Sequence, residues 1–143
     1  MPSKLLNVAR GILKLNEVVL LCYYKRGGFY FFPGGKVEPF ESTQDALKRE
    51  LHEEAGIKDI RASFKGVYEA CWSDGVTTMH EISHFFTVHA NLDPQSTVLS
   101  REEPLSFHWI PVKELHNIPL RPNGVEKYLF RDGVFYGSDF TMP

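Results

Sequence analysis

Apolar and polar positions divide the chain into strand-like runs on either side of one long helical segment. Residues 18–24 are aliphatic and β-branched, which predicts a buried strand, and we expect the apolar-rich run 5–15 to pair with it in a hairpin. Residues 60–72 and 77–90 alternate between apolar and polar side chains, and the Ser-Asp-Gly sequence at 73–75 is typical of a hairpin turn. The pattern therefore predicts two strand pairs, one before and one after the helical segment.

Shorter elements complete the predicted plan. They are short strands at 29–32 and 105–110, short helices at 111–115 and 124–130, a polar loop at 91–104 and an irregular aromatic tail at 132–143. Pro33, Gly34 and Gly35 are expected to break the first of these strands. Strands around a central helix, followed by late short helices, predict an α+β layered fold in which residues 1–143 form a single domain.

The central helix is predicted over residues 44–55, which contain no glycine, no proline and no β-branched residue. Ser42 suits the N-cap, with Asp45 three residues further on, and Gly56 is the expected left-handed stop. An apolar stripe with a spacing of four residues should face the core. Its members are Leu47, Leu51 and Ala55.

Glu50, Glu53 and Glu54 occupy one arc of this helix, because residues three and four apart are neighbours on a helix surface. Two like charges about 6 Å apart repel by about 3 kcal/mol at an effective dielectric of 20. The last helical turn also favours cations over carboxylates. Two interpretations are open from these residues alone: a solvated acidic face, or a site for a divalent cation. Hard carboxylate oxygens favour Mg²⁺ or Mn²⁺ over zinc.

Composition restricts the function classes. The net charge of −2 provides no basic field for duplex nucleic acid, although a local site for small phosphorylated substrates is compatible with it. No stretch has the layout of a signal peptide and no apolar run approaches 18 residues, so we expect a cytoplasmic protein without membrane association. Cys22 and Cys71 are expected to be free thiols.

The spacing around the helix resembles the Nudix box, Gx5Ex7REUxEExGU, in which U is a bulky aliphatic residue. All specified positions agree over residues 35–57, and seven of them are fixed letters. Each fixed letter has a background usage of roughly 5–7%, so a chance match is on the order of one in 10⁸ windows. The matching residues are Gly35, Glu41, Arg49, Glu50, Leu51, Glu53, Glu54, Gly56 and Ile57.

The resemblance implies a Nudix fold, with a mixed β-sheet sandwiched between α-helices. It also implies a Mg²⁺-dependent pyrophosphohydrolase, with Mn²⁺ as a substitute, in which water attacks phosphorus in a nucleoside diphosphate derivative. Substrates resembling ADP-ribose or nucleotide sugars and (deoxy)nucleoside triphosphates, oxidised or ordinary, are both compatible. The alternative is a catalytically silent Nudix module that binds a nucleotide or a protein. The family often dimerises, so a homodimer remains open.

Roles follow position by position from the same resemblance. Glu50 and Glu54 correspond to metal ligands, and Glu53 to a ligand or to the base that activates water. Arg49 precedes Glu53 by four residues and is expected to orient it through a salt bridge. The Gly34 carbonyl is a further candidate for the metal shell. Structural roles are expected for Gly35, Glu41 and Gly56.

Substrate contacts outside the box are less specific. Arg10 and Arg26 occupy positions that resemble those of phosphate-contacting arginines. Tyr30, or one of its neighbours Phe29 and Phe31, is a candidate for stacking on a base, although aromatic strand residues more often belong to a core. A further acid, as base or ligand, is expected at Glu81, Glu102 or Glu103, and the sequence leaves these three alternatives open.

Overall fold

A computed structural model describes residues 2–141 of the chain. The strands are β1 (Ser3–Ile12), β2 (Lys14–Leu15), β3 (Val18–Tyr24), β4 (Phe29–Phe31), β5 (Gly34–Lys36), β6 (Arg61–Ser73), β7 (Thr78–His89), β8 (Leu105–Pro111), β9 (Leu120–Arg121) and β10 (Phe135–Asp139). The helices are α1 (Thr43–Ala55), a 3₁₀ helix (Val112–Asn117) and α2 (Glu126–Leu129). The predicted α+β class is confirmed. Within the described residues, no helix is both long and apolar enough to cross a membrane.

The strands form two mixed sheets. The first has the order β10-β6-β7-β1-β5, with parallel pairing between β10 and β6 and between β7 and β1. In the second, β3 pairs antiparallel with β2, β4 and β8, and β9 extends β4 in parallel. The long hairpin predicted from residues 60–90 is confirmed, because β6 and β7 pair antiparallel along their length.

Helices cover both sides of this strand framework. Successive side chains of β3 point to opposite faces, as the period of a strand requires. Leu20 contacts the cluster that contains the α1 residues Leu47 and Leu51, whereas Val19 and Leu21 contact the cluster that contains residues of the late helices. The expected arrangement of mixed sheets between helices is therefore present.

Two local predictions were wrong. Residues 5–15 do not form one hairpin strand with β3, because β1 pairs with β7 and β5 and only Lys14–Leu15 turns back onto β3. The predicted break after the strand at 29–32 is confirmed, since β4 ends at Phe31, and Gly34 and Gly35 then begin a separate strand, β5, which pairs with β1.

The second wrong prediction concerns the tail, which is not irregular. Phe135–Asp139 forms strand β10, which pairs in parallel with β6 from Gly66 to Ala70. A Cβ atom at Gly66 would lie 2.3 Å from the ring of Phe135, so the glycine makes room for this strand. The last two residues of the predicted tail, 142 and 143, lie outside the described residues.

Candidate active site

Helix α1 has the ends that its sequence predicts. The Asp45 N–H donates to Ser42 Oγ at 3.0 Å, which caps the first turn. Gly56 adopts a φ of 70°, and its N–H donates to the His52 carbonyl at 3.0 Å. Leu47 and Leu51 are buried on the opposite side from solvent. Fixed ends and a buried stripe determine which way the glutamates of the last two turns point.

Arg49 lies at the centre of an ion-pair network. Its Nε donates to Glu41 Oε2 at 2.7 Å and its Nη2 donates to Glu41 Oε1 at 2.9 Å. Its Nη1 donates to Glu50 Oε1 at 2.9 Å and to Glu53 Oε2 at 3.2 Å. These hydrogen bonds hold the pKa of Glu41 down at about 2 and raise the pKa of the guanidinium. One arginine therefore positions three carboxylates and offsets their repulsion.

Gly35 brings the backbone of β5 against Glu50. A Cβ atom at this position would lie 2.5 Å from Cδ and 2.6 Å from Oε2 of Glu50, closer than real side chains approach. Gly34 is constrained differently: its φ is 142°, and a Cβ there would lie 1.9 Å from the Ala9 carbonyl oxygen. Gly35 therefore leaves room for the Glu50 carboxylate, and Gly34 leaves room for the backbone of β1.

Glu54 is the most buried acid of the motif, with 9% of its surface exposed. Burial raises its pKa to about 9, with further contributions from a hydrogen bond to the Glu50 carboxyl group and from repulsion by Glu50 and Glu102. The positive charge of Arg10 has the opposite effect and lowers the pKa of Glu54. Two carboxyl groups within hydrogen-bond distance need a proton or a cation between them. The pair therefore has the chemistry of a cation site.

The carboxylates of the site do not form a complete ligand shell for a metal ion. No group of three or more His, Cys, Asp or Glu side chains between residues 2 and 141 converges on a geometry that could hold a metal ion. Glu53 points to Arg49 and leaves 54% of its side chain exposed, so Glu50 and Glu54 form the convergent pair. Mg²⁺ usually binds through one or two carboxylates together with waters and substrate phosphates. The residues present fit Mg²⁺ bound in that way.

A cavity of about 470 Å³ lies near these groups. Arg10 is shared, because it lines the cavity and also interacts electrostatically with Glu54. Its Nη1 donates to the Phe32 carbonyl at 3.4 Å, and its guanidinium carbon lies 5.2 Å from the centre of the Phe31 ring. Phe29 also lines the cavity, with the guanidinium of Arg121 5.8 Å from its ring centre. The cavity thus combines cationic and aromatic surfaces.

Other candidate residues are separated by the fold. Glu81 lines the cavity, whereas Tyr30, Arg26 and Glu103 are not among the described residues that line it. The Tyr30 ring packs against Tyr23, with the two ring centres 4.7 Å apart. Arg26 lies in an exposed turn, and the side chain of Glu103 is 86% exposed.

The loop before β8 brings a different acid near the helix. The Arg101 N–H donates to the Glu54 carbonyl oxygen at 2.8 Å, which fixes the loop against the end of α1. Glu102, the next residue, raises the pKa of Glu54 by repulsion. Among the three acids considered outside the motif, Glu102 is the one that acts on Glu54, and Glu81 is the one that lines the cavity.

Sequence reasoning missed several residues of the cavity. Arg121 and Asp139 lie on β9 and β10, and Trp72 lies at the end of β6. Their positions depend on strand pairing between distant parts of the chain, for which no local pattern exists. Pro122 and Asn123, which follow β9, also line the cavity.

The site thus combines a pair of carboxylates, a neighbouring arginine and an aromatic cavity. The model of the NUDIX domain family matches residues 5–131. The chain therefore belongs to the Nudix family of hydrolases.

Individual relatives agree with this assignment. The Nudix hydrolase YvcI of Bacillus subtilis is 34% identical over 139 residues, which cover 95% of this chain and 87% of that protein. The CTP pyrophosphohydrolase of Escherichia coli is 28% identical over 123 residues, 83% of this chain and 85% of that protein. The crystal structure of a MutT protein from Bacillus halodurans superimposes with a TM-score of 0.72 at 26% identity, covering 96% of this chain and 91% of that one.

Proposed function

We propose that the protein is a Mg²⁺-dependent pyrophosphohydrolase of nucleoside triphosphates. Water attacks a phosphorus atom, a P–O bond to this phosphorus forms, and the phosphoanhydride bond breaks to release the nucleotide and pyrophosphate. The observation that carries the proposal is Arg10, which connects the carboxylate pair of α1 with a cavity of about 470 Å³. Triphosphates are chosen over nucleotide sugars because a relative that matches over 83% of this chain and 85% of its own length is a CTP pyrophosphohydrolase.

Glu50, Glu54 and the Gly34 carbonyl are the groups that would hold Mg²⁺. When bound, the ion neutralises phosphate charge and lowers the pKa of a coordinated water. The open donor set leaves coordination positions for phosphate oxygens and waters. Gly35 keeps Glu50 against β5, which supports the proposed place of the Gly34 carbonyl beside it.

Glu53 is proposed as the base that accepts the proton of the attacking water. It has an exposed carboxylate, and the hydrogen bond from Arg49 Nη1 at 3.2 Å restrains its orientation. Arg49 is thus a positioning residue, since its other hydrogen bonds are to Glu41, to Glu50 and to the Lys36 carbonyl of β5. Glu102 lies outside the motif and near Glu54, and it is the candidate for a further acid that acts as base or metal ligand.

Arg10 is proposed to contact the phosphates, and Phe29 and Phe31 to stack on the base. Both rings line the cavity, and base–aromatic stacking contributes about 1–3 kcal/mol per base. Arg26, Tyr30 and Glu103 have no role in this proposal because of where the fold places them.

The test is a substrate panel with the purified protein. CTP, dCTP, dGTP, 8-oxo-dGTP, ADP-ribose and a dinucleoside polyphosphate are incubated with Mg²⁺, with Mn²⁺ and with chelator, and the products are separated. The proposal expects a monophosphate and pyrophosphate from a triphosphate, only with metal, and a loss of at least 100-fold in kcat for Glu53→Gln. Binding of nucleotides without any product under either metal would instead identify a silent binding module.

A further inference from the structure

Three side chains on adjacent strands form one row across the cavity wall. In the first sheet, Glu81 of β7 is paired with Ala70 of β6, and Ala70 is paired with Asp139 of β10. Paired residues of neighbouring strands point to the same face, and all three residues line the cavity. Two strand spacings separate the carboxylate-bearing residues, about 9–10 Å between their Cα atoms. The small Ala70 side chain leaves the space between them open.

Glu81 is fixed in the cavity wall, and its carboxylate can accept further hydrogen bonds. Only 12% of its side chain is exposed. The buried Ser83 hydroxyl donates to its Oε2 at 3.0 Å, whereas the Arg10 guanidinium lies 4.0 Å from its Oε1, beyond hydrogen-bond distance. A carboxylate so placed in a cavity wall needs further donors to offset its lost hydration. A ligand in the cavity is a source of such donors.

Asp139 lies on a strand that the family match does not include, since the match ends at residue 131. The Thr141 N–H donates to its Oδ1 at 2.9 Å, which helps to hold its pKa below the ordinary value. Strand β10 itself is anchored: the Tyr136 hydroxyl donates to Glu69, and the Lys65 ammonium donates to the Gly133 carbonyl at 2.6 Å. This terminal strand therefore supplies an ionised group at a defined place in the cavity.

We infer that Glu81 and Asp139 select the nucleobase, favouring bases that carry an exocyclic amino group over their keto counterparts. Ionised carboxylates only accept hydrogen bonds. The amino groups of cytosine, adenine and guanine are donors, whereas the corresponding carbonyl oxygen of uracil is an acceptor and is repelled. The inference rests on the proposed function, because it assumes that the occupant of the cavity is a nucleotide.

A purely structural role for Glu81 predicts a different result. If the carboxylate only oriented Arg10, its loss would lower the binding affinity for every nucleotide by the same factor, because Arg10 is proposed to contact phosphates. A base-selecting role changes the ratio between two nucleotides that differ in one amino group. The discriminating quantity is therefore a ratio of affinities and not an affinity.

The experiment measures dissociation constants for matched pairs of α,β-methylene triphosphates, cytidine against uridine and adenosine against inosine. Binding is followed by calorimetry and by the fluorescence of Trp72, which lines the cavity. The isosteric variants are Glu81→Gln, Asp139→Asn and the double variant. Glu69→Gln is the matched control, because it removes a carboxylate from the same sheet on the opposite face and also frees Tyr136 of β10. Melting temperatures verify that each variant is folded.

In the wild-type protein the aminated member of each pair is expected to bind at least 10-fold more tightly. In the double variant the ratio is expected to fall to within about twofold of one, and in Glu69→Gln it is expected to stay at the wild-type value. An unchanged ratio in the double variant, no preference in the wild-type protein, or no binding of any nucleotide would overturn the inference. Since the analogues are not cleaved at the α,β position, amino-dependent binding without turnover of natural triphosphates would reject the proposed function alone.

Discussion

Arg49 holds Glu41 with two hydrogen bonds, from Nε to Oε2 at 2.7 Å and from Nη2 to Oε1 at 2.9 Å. Glu41 lies in the segment before α1 and Arg49 in its middle, so this pair joins the entrance of the helix to its carboxylate-bearing turn. The third guanidinium nitrogen, Arg49 Nη1, donates hydrogen bonds to Glu50 and Glu53. The fork geometry of arginine is what allows one side chain to make all these contacts.

Arg49→Lys is expected to lower kcat by about 10–100-fold with a smaller change in KM, the range seen when groups that orient metal ligands are removed. Lysine keeps the charge but lacks the planar fork, so Glu53 and Glu50 lose their shared donor. Steady-state kinetics with the preferred triphosphate measure the effect. Lys48→Arg, at an exposed neighbouring position, is the control and should retain wild-type rates. Equal rates for both variants would contradict a positioning role for Arg49.

Gly35→Ala is expected to weaken Mn²⁺ binding by about 10–100-fold while the protein remains folded. The added methyl group would overlap the Glu50 carboxyl group, which is the end of a flexible side chain and can move away. Calorimetric titration with Mn²⁺ measures the affinity, and thermal melting monitors the fold. If metal affinity is retained in a folded variant, the contact between Gly35 and Glu50 has no part in the site.

The raised pKa of Glu54 predicts a pH-dependent stability in the presence of chelator. The folded chain retains a proton that the unfolded chain releases near pH 4.5, so this contribution is complete below that value and is lost as the pH rises through about 9. Glu54→Gln removes the titration, and the variant is expected to gain melting temperature relative to the wild-type protein between pH 6 and 9. Added Mg²⁺ should stabilise the wild-type protein and have much less effect on the variant. Parallel pH profiles of the two proteins in chelator would contradict the prediction.

The two cysteines are expected to differ in reactivity. Burial raises the pKa of the Cys22 thiol to about 12, so it should not react with a thiol reagent at pH 8. Cys71 is half-buried and lines the cavity. Titration of the native protein should therefore modify one thiol per chain, and a bound nucleotide analogue should slow the reaction. Cys71→Ser should abolish it, and a reaction that persists in this variant would place Cys22 in contact with solvent.

The functional helix was predictable because its determinants are local. Ser42, Gly56 and the glutamates lie within 15 residues of one another, and the spacing of a helix converts their order directly into geometry. The salt bridge predicted between Arg49 and Glu53 is present, with Nη1 3.2 Å from Oε2. The sequence did not show that Glu50 and Glu54 approach each other and leave Glu53 outside the pair. Gly35 makes room for the Glu50 carboxyl group, and it lies on a strand that the sequence pattern described only as a break.

The cavity was not predictable, because the residues that form it are distant from one another in the sequence. Its wall joins residues 10, 70, 81 and 139, which are adjacent only because β10, β6, β7 and β1 pair in that order. Pairing between distant segments leaves little trace in local periodicity. Tyr30 illustrates the same limit: an aromatic residue in β4 faces one side or the other by a shift of a single position, and Phe29 and Phe31 occupy the cavity side.

Strand β10 gives the protein a division of labour along its length. The carboxylates of helix α1 lie between residues 50 and 54, whereas one acidic side chain of the cavity, Asp139, is carried by an edge strand that the family match does not include. Under the proposed roles, base selection and bond cleavage reside in separate segments of the chain. We therefore expect that substitutions in β10 alter the choice of nucleotide independently of the cleavage step.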